Sequence, residues 1–355
     1  MKGRVRLAVR NQTFRLLGTL LTGTPFLGVF LSVANRWRIK RATRGRVAAP
    51  FIERRTRACY QIVRYHRVTE AHDPFFGGVS VRRFEGEMEL LASRFTVRPL
   101  EELIESAARD ELPSNAVAIT FDDGYRDNYE YAFPILKRLG LPATIFVTTG
   151  PLDSQDPLWH DTVFDAFRRA TAQSVSFGDK AYGLGTLAEK RLALKAFRGY
   201  LRTQIPADWD KHIRQLLTWL QLSDSTPFDS KKLGWEELAE MATHGITFGA
   251  HTVTHPVLTC LSLQDAALEI VTSKRTLEER LGTAVKLFAY PNGGRNDFNE
   301  ALKNILREAG FLCAVTILPG VNDACTDPYE LRRAEFWDAN PGISALRLCW
   351  DKFRS

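Results

Sequence analysis

Apolar residues along this chain follow two alternating patterns that predict a parallel sheet wound with helices. Short continuous apolar runs predict buried strands, and apolar residues that recur every three or four positions predict the helices between them. One such helix begins after Ser80, where apolar side chains recur from Phe84 to Phe95 at spacings of four, three and four. This alternation favours an α/β fold. The predicted strands are 60–65, 116–121, 143–148, 246–250, 285–290 and 311–316, and further helices are predicted through 129–136 and at 235–242, 263–281 and 297–309.

The segment from about 151 to 232 departs from this alternation. It is rich in Arg, Lys, Ala, Leu and Gln and carries little strand signal, so we predict a mainly helical insertion. The predicted organisation is therefore one folded domain at 58–345 that contains the insertion at about 151–232. An N-terminal arm at 1–57 precedes this domain.

Charge is distributed unevenly along the 355 residues. The first 57 residues hold 14 Lys or Arg and one acid, which gives +13, whereas the remaining 34 basic and 40 acidic residues give −6. A surface that follows nucleic-acid phosphates needs positive charge clustered on the folded domain itself. The net negative charge of the chain after residue 57 therefore argues against nucleic acid as a partner. The 45% hydrophobic content excludes a disordered chain.

An uncharged apolar stretch of 20 residues, 16–35, lies within the basic arm. It is long enough to cross a bilayer core of roughly 30 Å, although Gly, Thr and Pro dilute it. Three interpretations stay open: a signal peptide cleaved after Ser32-Val33-Ala34, a membrane anchor or interfacial segment with basic residues 36–46 against anionic lipid, and a buried helix behind a disordered tail. We favour a membrane surface as partner and a location at the cell envelope, membrane-associated or exported, with the cytoplasmic face left open.

Two adjacent carboxylates end the predicted strand 116–121. Asp122 and Asp123 precede Gly124, and strand ends are where parallel α/β folds place their chemistry. Successive strand residues point to opposite faces, so both acids reach one site only where the strand breaks, which Gly124 allows. The alternative is an acidic surface turn that caps a helix.

Two histidines four residues apart, His251 and His255, follow the predicted strand 246–250. Imidazoles at this spacing can face one point, and neutral His nitrogens bind zinc and related divalent ions. A carboxylate from another strand end completes a three-ligand site. Exposed histidines without a metal are the alternative, which the Asp-Asp pair earlier in the chain disfavours.

A turn of Pro, Asn and two Gly, 291–294, follows the predicted strand 285–290. Backbone N–H groups in such a turn can point into a site and stabilise an oxyanion. Asn292 is the candidate residue for this role, although Pro-Asn-Gly is also an ordinary β-turn.

The motifs at 120–125 (Thr-Phe-Asp-Asp-Gly-Tyr) and 251–255 (His-Thr-x-x-His) resemble those of the polysaccharide deacetylase family, the NodB-homology group or carbohydrate esterase family 4. The resemblance spans about 58–336 and implies a deformed (β/α)7 barrel. The implied reaction is hydrolysis of N-acetyl groups on amino sugars of a polysaccharide or its lipid-linked precursor. It also implies a divalent metal held by Asp123, His251 and His255, with zinc as first choice and cobalt or nickel as alternatives. In the implied mechanism, Asp122 is the general base and the Asn292 N–H stabilises the oxyanion.

Two features of that family are missing from this sequence. Ala289 stands where the family has an Arg ahead of the third motif's proline, and no histidine follows His255, where the family has a Leu-x-His. An amide nitrogen leaves poorly unless it is protonated, so another residue must supply the acid. A permuted branch with exopolysaccharide deacetylases has a Tyr-His at the end of the first strand. His66 is therefore the candidate acid here, with His160 as the next candidate.

The arginine that orients Asp122 is not identified by the sequence. The candidates are Arg67, next to the predicted acid, and the pair Arg332 and Arg333, which stand at the place of the family's Leu-x-His.

The leading functional hypothesis is a metal-dependent carbohydrate N-deacetylase with an N-acetylated glycan as substrate. A non-catalytic glycan-binding or assembly protein of the same fold is the second hypothesis, and hydrolysis of another amide or ester is the third. The adjacent base and metal ligands argue against the second hypothesis, because binding alone does not require a base beside a metal.

Overall fold

The computed structural model describes residues 58–70, 73–154, 156–222 and 231–335. The predicted arm at 1–57, with its apolar segment, lies outside the described residues, as do the last ten residues of the predicted domain 58–345. Among the helices in the described ranges, none has the length and apolarity that a bilayer crossing requires.

A curled parallel sheet forms the centre of the protein. Its strands lie in the order β1-β3-β4-β7-β8-β9, and every neighbouring pair on this path is parallel. All six residues of β3 are buried because helices cover its outer face, which explains its continuous apolar run. The bounds are β1 Tyr60–Tyr65, β3 Ala116–Phe121, β4 Ala143–Val147, β7 Ile246–Ala250, β8 Leu287–Ala289 and β9 Cys313–Val315, with β2 Thr96–Val97 paired to the start of β3.

An extended segment at 331–334 closes this sheet into a barrel. On one side, Leu331 N donates to Ala314 O at 3.0 Å, which joins the segment to β9. On the other side, Ala334 N donates to Ile62 O at 2.8 Å, and Arg64 N donates to Ala334 O at 2.9 Å. The segment thus occupies the seventh position of the ring without forming a regular strand. The predicted deformed (β/α)7 barrel is confirmed, and this position is where the barrel is irregular.

The helices outside the barrel largely follow the predicted bounds. In α1, the Ser80 side chain accepts a hydrogen bond from Arg83 N, and Phe84, Met88 and Leu91 are buried against the sheet as their spacing predicts. The helix predicted through 129–136 begins with a π-helical turn, Asn128–Ala132. The helices outside the insertion are α1 Val81–Arg94, α2 Leu100–Ala108, α3 Phe133–Leu139, α8 Trp235–Ala242, α9 Leu263–Leu281 and α10 Glu300–Glu308.

The insertion is mainly helical, and it also contains a β-hairpin that was not predicted. The hairpin strands β5 Ser174–Phe177 and β6 Lys180–Gly183 are antiparallel. The insertion helices bury their own aromatic cluster around Phe167 and Phe197, which is separate from the barrel core. These helices are α4 Gly150–Ser154, α5 Trp159–Arg169, α6 Leu187–Leu201 and α7 Trp209–Trp219.

Candidate active site

The residues predicted to carry chemistry line one pocket at the carboxyl ends of the barrel strands. His66 follows β1, Asp122 and Asp123 follow β3, and the segment 251–255 follows β7. Asn292 lies beyond the end of β8 and lines the same pocket. The cavity of about 190 Å³ is smaller than the sites of drug-sized ligands, so it accommodates one reacting group of a larger substrate.

Left-handed backbone conformations turn these strand ends into the pocket. Asp123 has φ 75° and Gly124 has φ 68°, so the strand breaks at Asp123 itself, one residue earlier than the glycine. Thr252, His255 and Asn292 have φ values of 68°, 61° and 60°. Such conformations are costly for residues with a Cβ and tend to cluster at functional sites. The break is what allows both aspartates to face one cavity.

Asp122 is held by a bidentate ion pair with Arg333. The Arg333 Nη1 and Nη2 atoms each donate to one Asp122 oxygen at 2.7 Å, and both side chains are buried. Burial raises the pKa of Asp122, but the positive charge of Arg333 outweighs it and the pKa falls to about 2. The carboxylate is therefore ionised at neutral pH and available to accept a proton.

The structure thus selects one of the three arginine candidates for orienting Asp122. Arg333 also donates from Nε to Thr316 O at 2.8 Å, which fixes the guanidinium plane. Arg67 instead pairs with Asp127 at 2.7 Å.

Asp123, His251 and His255 form a buried cluster that can hold a metal ion. The Nε2 atoms of both histidines lie 3.3 Å from Asp123 Oδ1. The ligand atoms lie within 4.8 Å of one another. A carboxylate and two imidazoles are a donor set that suits zinc and related divalent ions.

The tautomer of His251 shows why this cluster fits a cation. Its Nδ1 lies 2.7 Å from the backbone carbonyl of Ala289, which can only accept, so Nδ1 carries the proton. In the neutral ring, Nε2 then presents a lone pair toward Asp123 Oδ1, a buried atom that no donor within the described residues satisfies. Two facing acceptors are an arrangement that a bound cation stabilises. A His N–H bound to a carbonyl is also the usual support of a metal ligand.

His66 lies beside Asp122 rather than in the cluster of Asp123, His251 and His255. Its Nε2 is 3.8 Å from Asp122 Oδ2, and Asn128 donates to its carbonyl at 2.9 Å. Asp122 N donates to Tyr65 O at 3.1 Å, which ties the two strand ends together. Burial lowers the pKa of His66 to about 4 against the opposing effect of Asp123 and Asp122, so the ring is neutral at neutral pH.

His160 of the insertion also reaches the pocket through a buried polar network. Asp161 accepts from Tyr125 Oη at 2.6 Å and from Lys232 Nζ at 3.0 Å. Because the hydroxyl proton of Tyr125 is directed at Asp161, His160 Nε2 donates to the hydroxyl oxygen at 3.2 Å. The same Nε2 lies 3.8 Å from Asp123 Oδ2. The network therefore anchors the insertion to the loop that carries both aspartates.

Asn292 lies in the turn after β8 and contacts the insertion. Its side-chain Oδ1 accepts from Arg198 Nη2 of α6 at 3.1 Å, and its Nδ2 is buried without a partner among the described residues. The following Gly293 has φ 67°, and its carbonyl accepts from Ile317 N at 3.0 Å. The turn is thus fixed from both sides.

Several residues of the pocket wall were not predicted from the sequence. The rings of Phe76 and Phe164 stack with centroids 5.0 Å apart, and Arg198 lies beside them. Arg198 and Phe164 belong to the insertion, and nothing in the local pattern of a basic, apolar helix distinguishes a pocket residue from a solvated one.

A cluster able to hold a metal ion lies beside an ionised aspartate at the strand ends of a barrel, an arrangement that suits hydrolysis. The family model described as "Polysaccharide deacetylase" matches residues 109–314, more than half of the chain, and the protein belongs to this family. YxkH of Bacillus subtilis (strain 168), which carries the family name, is 24% identical over 286 residues, covering 80% of this chain and 72% of its own. A Poly-beta-1,6-N-acetyl-D-glucosamine N-deacetylase of Staphylococcus aureus (strain N315) is 34% identical over 79 residues, which cover 22% of this chain and 27% of that protein.

Solved structures share the fold. The Streptococcus pyogenes deacetylase PplD in complex with acetate superposes with a TM-score of 0.57 at 20% identity, covering 82% of this chain and 98% of that chain. IcaB from Ammonifex degensii gives a TM-score of 0.55 at 20% identity, covering 82% and 97%.

The strand break at Gly124 is testable against a matched glycine. Gly124 and Gly140 have similar φ values, 68° and 64°, but a Cβ on Gly124 would lie 3.0 Å from Val147 Cγ1, whereas a Cβ on Gly140 would meet nothing within 4 Å. Gly140→Ala should lower the free energy of unfolding by about 1–2 kcal/mol, the cost of the left-handed conformation. Gly124→Ala should cost more in denaturant unfolding. Equal losses would contradict the steric account.

Proposed function

We propose that the protein is a metal-dependent carbohydrate N-deacetylase that hydrolyses N-acetyl groups on amino sugars of a polysaccharide or its lipid-linked precursor. The observation that carries this proposal is the ionised Asp122, bound to Arg333, next to the Asp123, His251 and His255 cluster in one pocket. Family membership and the name of the N-acetylglucosamine polymer deacetylase among the relatives support it.

The residues around the pocket suit hydrolysis of an amide. A divalent ion held by Asp123, His251 and His255 would polarise the acetyl carbonyl and lower the pKa of water. Asp122 accepts the proton from the attacking water, and Arg333 keeps its carboxylate oriented. We assign stabilisation of the developing oxyanion to the backbone N–H of Asn292, which lines the same pocket. The C–N bond then breaks to give acetate and a free amine.

The leaving amine needs a proton, which we assign to His66. Its ring is neutral before the reaction, so it must gain a proton during turnover. Asp122 Oδ2, which has by then accepted a proton from water, lies 3.8 Å from His66 Nε2 and is the nearest source. Base and acid are therefore neighbours that exchange one proton per cycle.

Metal dependence is tested by removing and restoring the ion. Treatment with a chelator should abolish acetate release from N-acetylglucosamine oligomers, and added zinc, cobalt or nickel should restore it. His255→Ala should lower the metal content of the purified protein, whereas His244→Ala, at an exposed histidine of the same chain, should not. Full activity of metal-free protein would refute the proposal.

The two aspartates should respond differently to the same substitution. Asp122→Asn should retain bound metal but lose about 10²- to 10⁴-fold in kcat, the range for removal of a general base. Asp123→Asn should lose the metal itself, as measured by metal analysis of the dialysed protein. Metal loss in Asp122→Asn with retention in Asp123→Asn would mean that the roles are exchanged.

The role of His66 is tested by comparing an amide with an activated ester. His66→Ala should strongly reduce kcat on N-acetyl sugars but much less on an aryl acetate, because a phenolate leaves without protonation. The ratio of ester to amide activity should therefore rise. Equal losses on both substrates would instead indicate that His66 has an orienting role. His160→Ala, measured on the same two substrates, then tests the next candidate acid.

We further propose that the protein acts at the cell envelope through its N-terminal arm. The support is the +13 charge of residues 1–57 and the apolar stretch 16–35. Deletion of residues 1–50 should release the protein from membranes in cell fractionation and leave activity on soluble oligomers intact. Full-length protein that fractionates as soluble and uncleaved would contradict both anchoring and export.

A further inference from the structure

The insertion supplies one positive charge to the wall of the candidate active site. Arg198 of α6 lines the pocket, and its Nη2 donates to Asn292 Oδ1 at 3.1 Å. Its guanidinium carbon lies 5.7 Å from the centroid of the Phe164 ring. The side chain is half-buried, and through Asn292 it lies next to the proposed oxyanion position.

The arginines around Arg198 are held by carboxylates, but Arg198 is not. Arg333 pairs with Asp122, Arg64 pairs with Glu335, and Arg202 pairs with Asp297 at 2.9 Å. Across the ranges that the structure describes, no carboxylate lies within ion-pair distance of Arg198. Its one hydrogen bond to a side chain goes to a neutral amide oxygen.

A partly desolvated guanidinium without a counter-ion favours an anionic ligand. Its five N–H donors form a planar fork that matches a carboxylate or phosphate, and Asn292 occupies one of them. Burial lowers the pKa of Arg198, and the neighbouring charge of Arg202 lowers it further against the opposing effect of the more distant Asp297. A bound oxyanion would compensate the charge of Arg198.

The neighbouring aromatic rings give this part of the pocket an apolar surface that suits a sugar. Phe76 and Phe164 stack at an interplanar angle of 15°, and together with Phe75 they give the pocket an apolar side. The apolar face of a pyranose packs on such rings, while the cavity of about 190 Å³ holds only the reacting group. A sugar bound against these rings would bring a substituent of that sugar or of its neighbour within reach of Arg198.

We propose that Arg198 binds an anionic group of the substrate, a carboxylate or a phosphate ester carried next to the reacting N-acetyl sugar, so that the enzyme prefers acidic glycans to neutral ones. This inference rests on the proposed deacetylase function. It makes Arg198 a specificity-determining residue that the insertion adds to the catalytic groups of the barrel.

The test compares three oligomers of equal length: neutral N-acetylglucosamine, one with a neighbouring uronic acid, and one with a phosphodiester at the same position. Acetate release by the full chain should give a kcat/KM at least about 10-fold higher on one acidic oligomer than on the neutral one. Whichever acidic oligomer is preferred distinguishes carboxylate from phosphate. Arg198→Gln, which keeps an N–H donor but no charge, should reduce kcat/KM on that oligomer by about 10- to 100-fold relative to the neutral one.

Arg202→Gln is the matched control, because it removes the same charge one helical turn further along from a residue that does not line the pocket. It should leave the ratio of acidic to neutral activity unchanged. A wild-type protein that cleaves all three oligomers equally would overturn the inference without any variant and leave the deacetylase function intact. Equal losses of Arg198→Gln on acidic and neutral oligomers would also overturn it, since Arg198 would then only position Asn292. Absence of acetate release from every oligomer would refute the proposed function itself.

Discussion

The buried ion pair between Asp122 and Arg333 connects the closure of the barrel to its chemistry. An aspartate in this position needs a compensating charge, because an unpaired buried carboxylate would be protonated rather than ionised. Arg333 belongs to the extended segment 331–334, whose backbone hydrogen bonds join β9 to β1. The segment that completes the ring thus also supplies the cation that keeps Asp122, the proposed general base, charged and oriented. A change in the segment 331–334 that disturbed the closure of the barrel would therefore also disturb the orientation of Asp122, and the reverse holds as well.

The insertion is a second structural unit with its own aromatic core, yet it is attached to the barrel at the active site. Part of the attachment is a buried polar network: Asp161 of α5 accepts from Lys232, which lies where the chain re-enters the barrel, and from Tyr125, which follows Asp122 and Asp123. Lys232 also lies over the Tyr125 ring, with its Nζ 3.4 Å from the centroid. A fully satisfied polar network of this kind fixes one relative placement of two elements more strictly than apolar contact does. This placement brings the His160 imidazole, the Phe164 ring and Arg198 of the insertion to the pocket at the strand ends of the barrel.

Differences between the predicted and observed elements have local causes. Strands β8 and β9 are shorter than predicted, although residues beside them keep ladder hydrogen bonds: Tyr290 N donates to Val315 O at 3.2 Å, and Leu312 N donates to Lys286 O at 2.7 Å. The hairpin β5–β6 has a recognisable signal, since Gly178 and Asp179 separate two short runs and β5 alternates exposed and buried residues. This hairpin was not predicted because the composition of the surrounding segment is that of helices. The strand break was expected at Gly124, but it begins at Asp123, whose strained backbone is held by the surrounding site.

The sequence by itself determined a parallel α/β fold, because buried strands and amphipathic helices each have a local period, and it determined which strand ends carry acids and histidines. These features depend on residues close together in the chain. The barrel was implied by the resemblance of these motifs to a known family. Tertiary structure alone decided which arginine binds Asp122, that Ala289 orients His251 through its carbonyl, and that Arg198 reaches the pocket. Such contacts join residues that are far apart in sequence, or use backbone atoms that every residue has. The residues that meet in these contacts depend on how the chain closes the barrel and where the insertion packs. A local sequence pattern does not predict either.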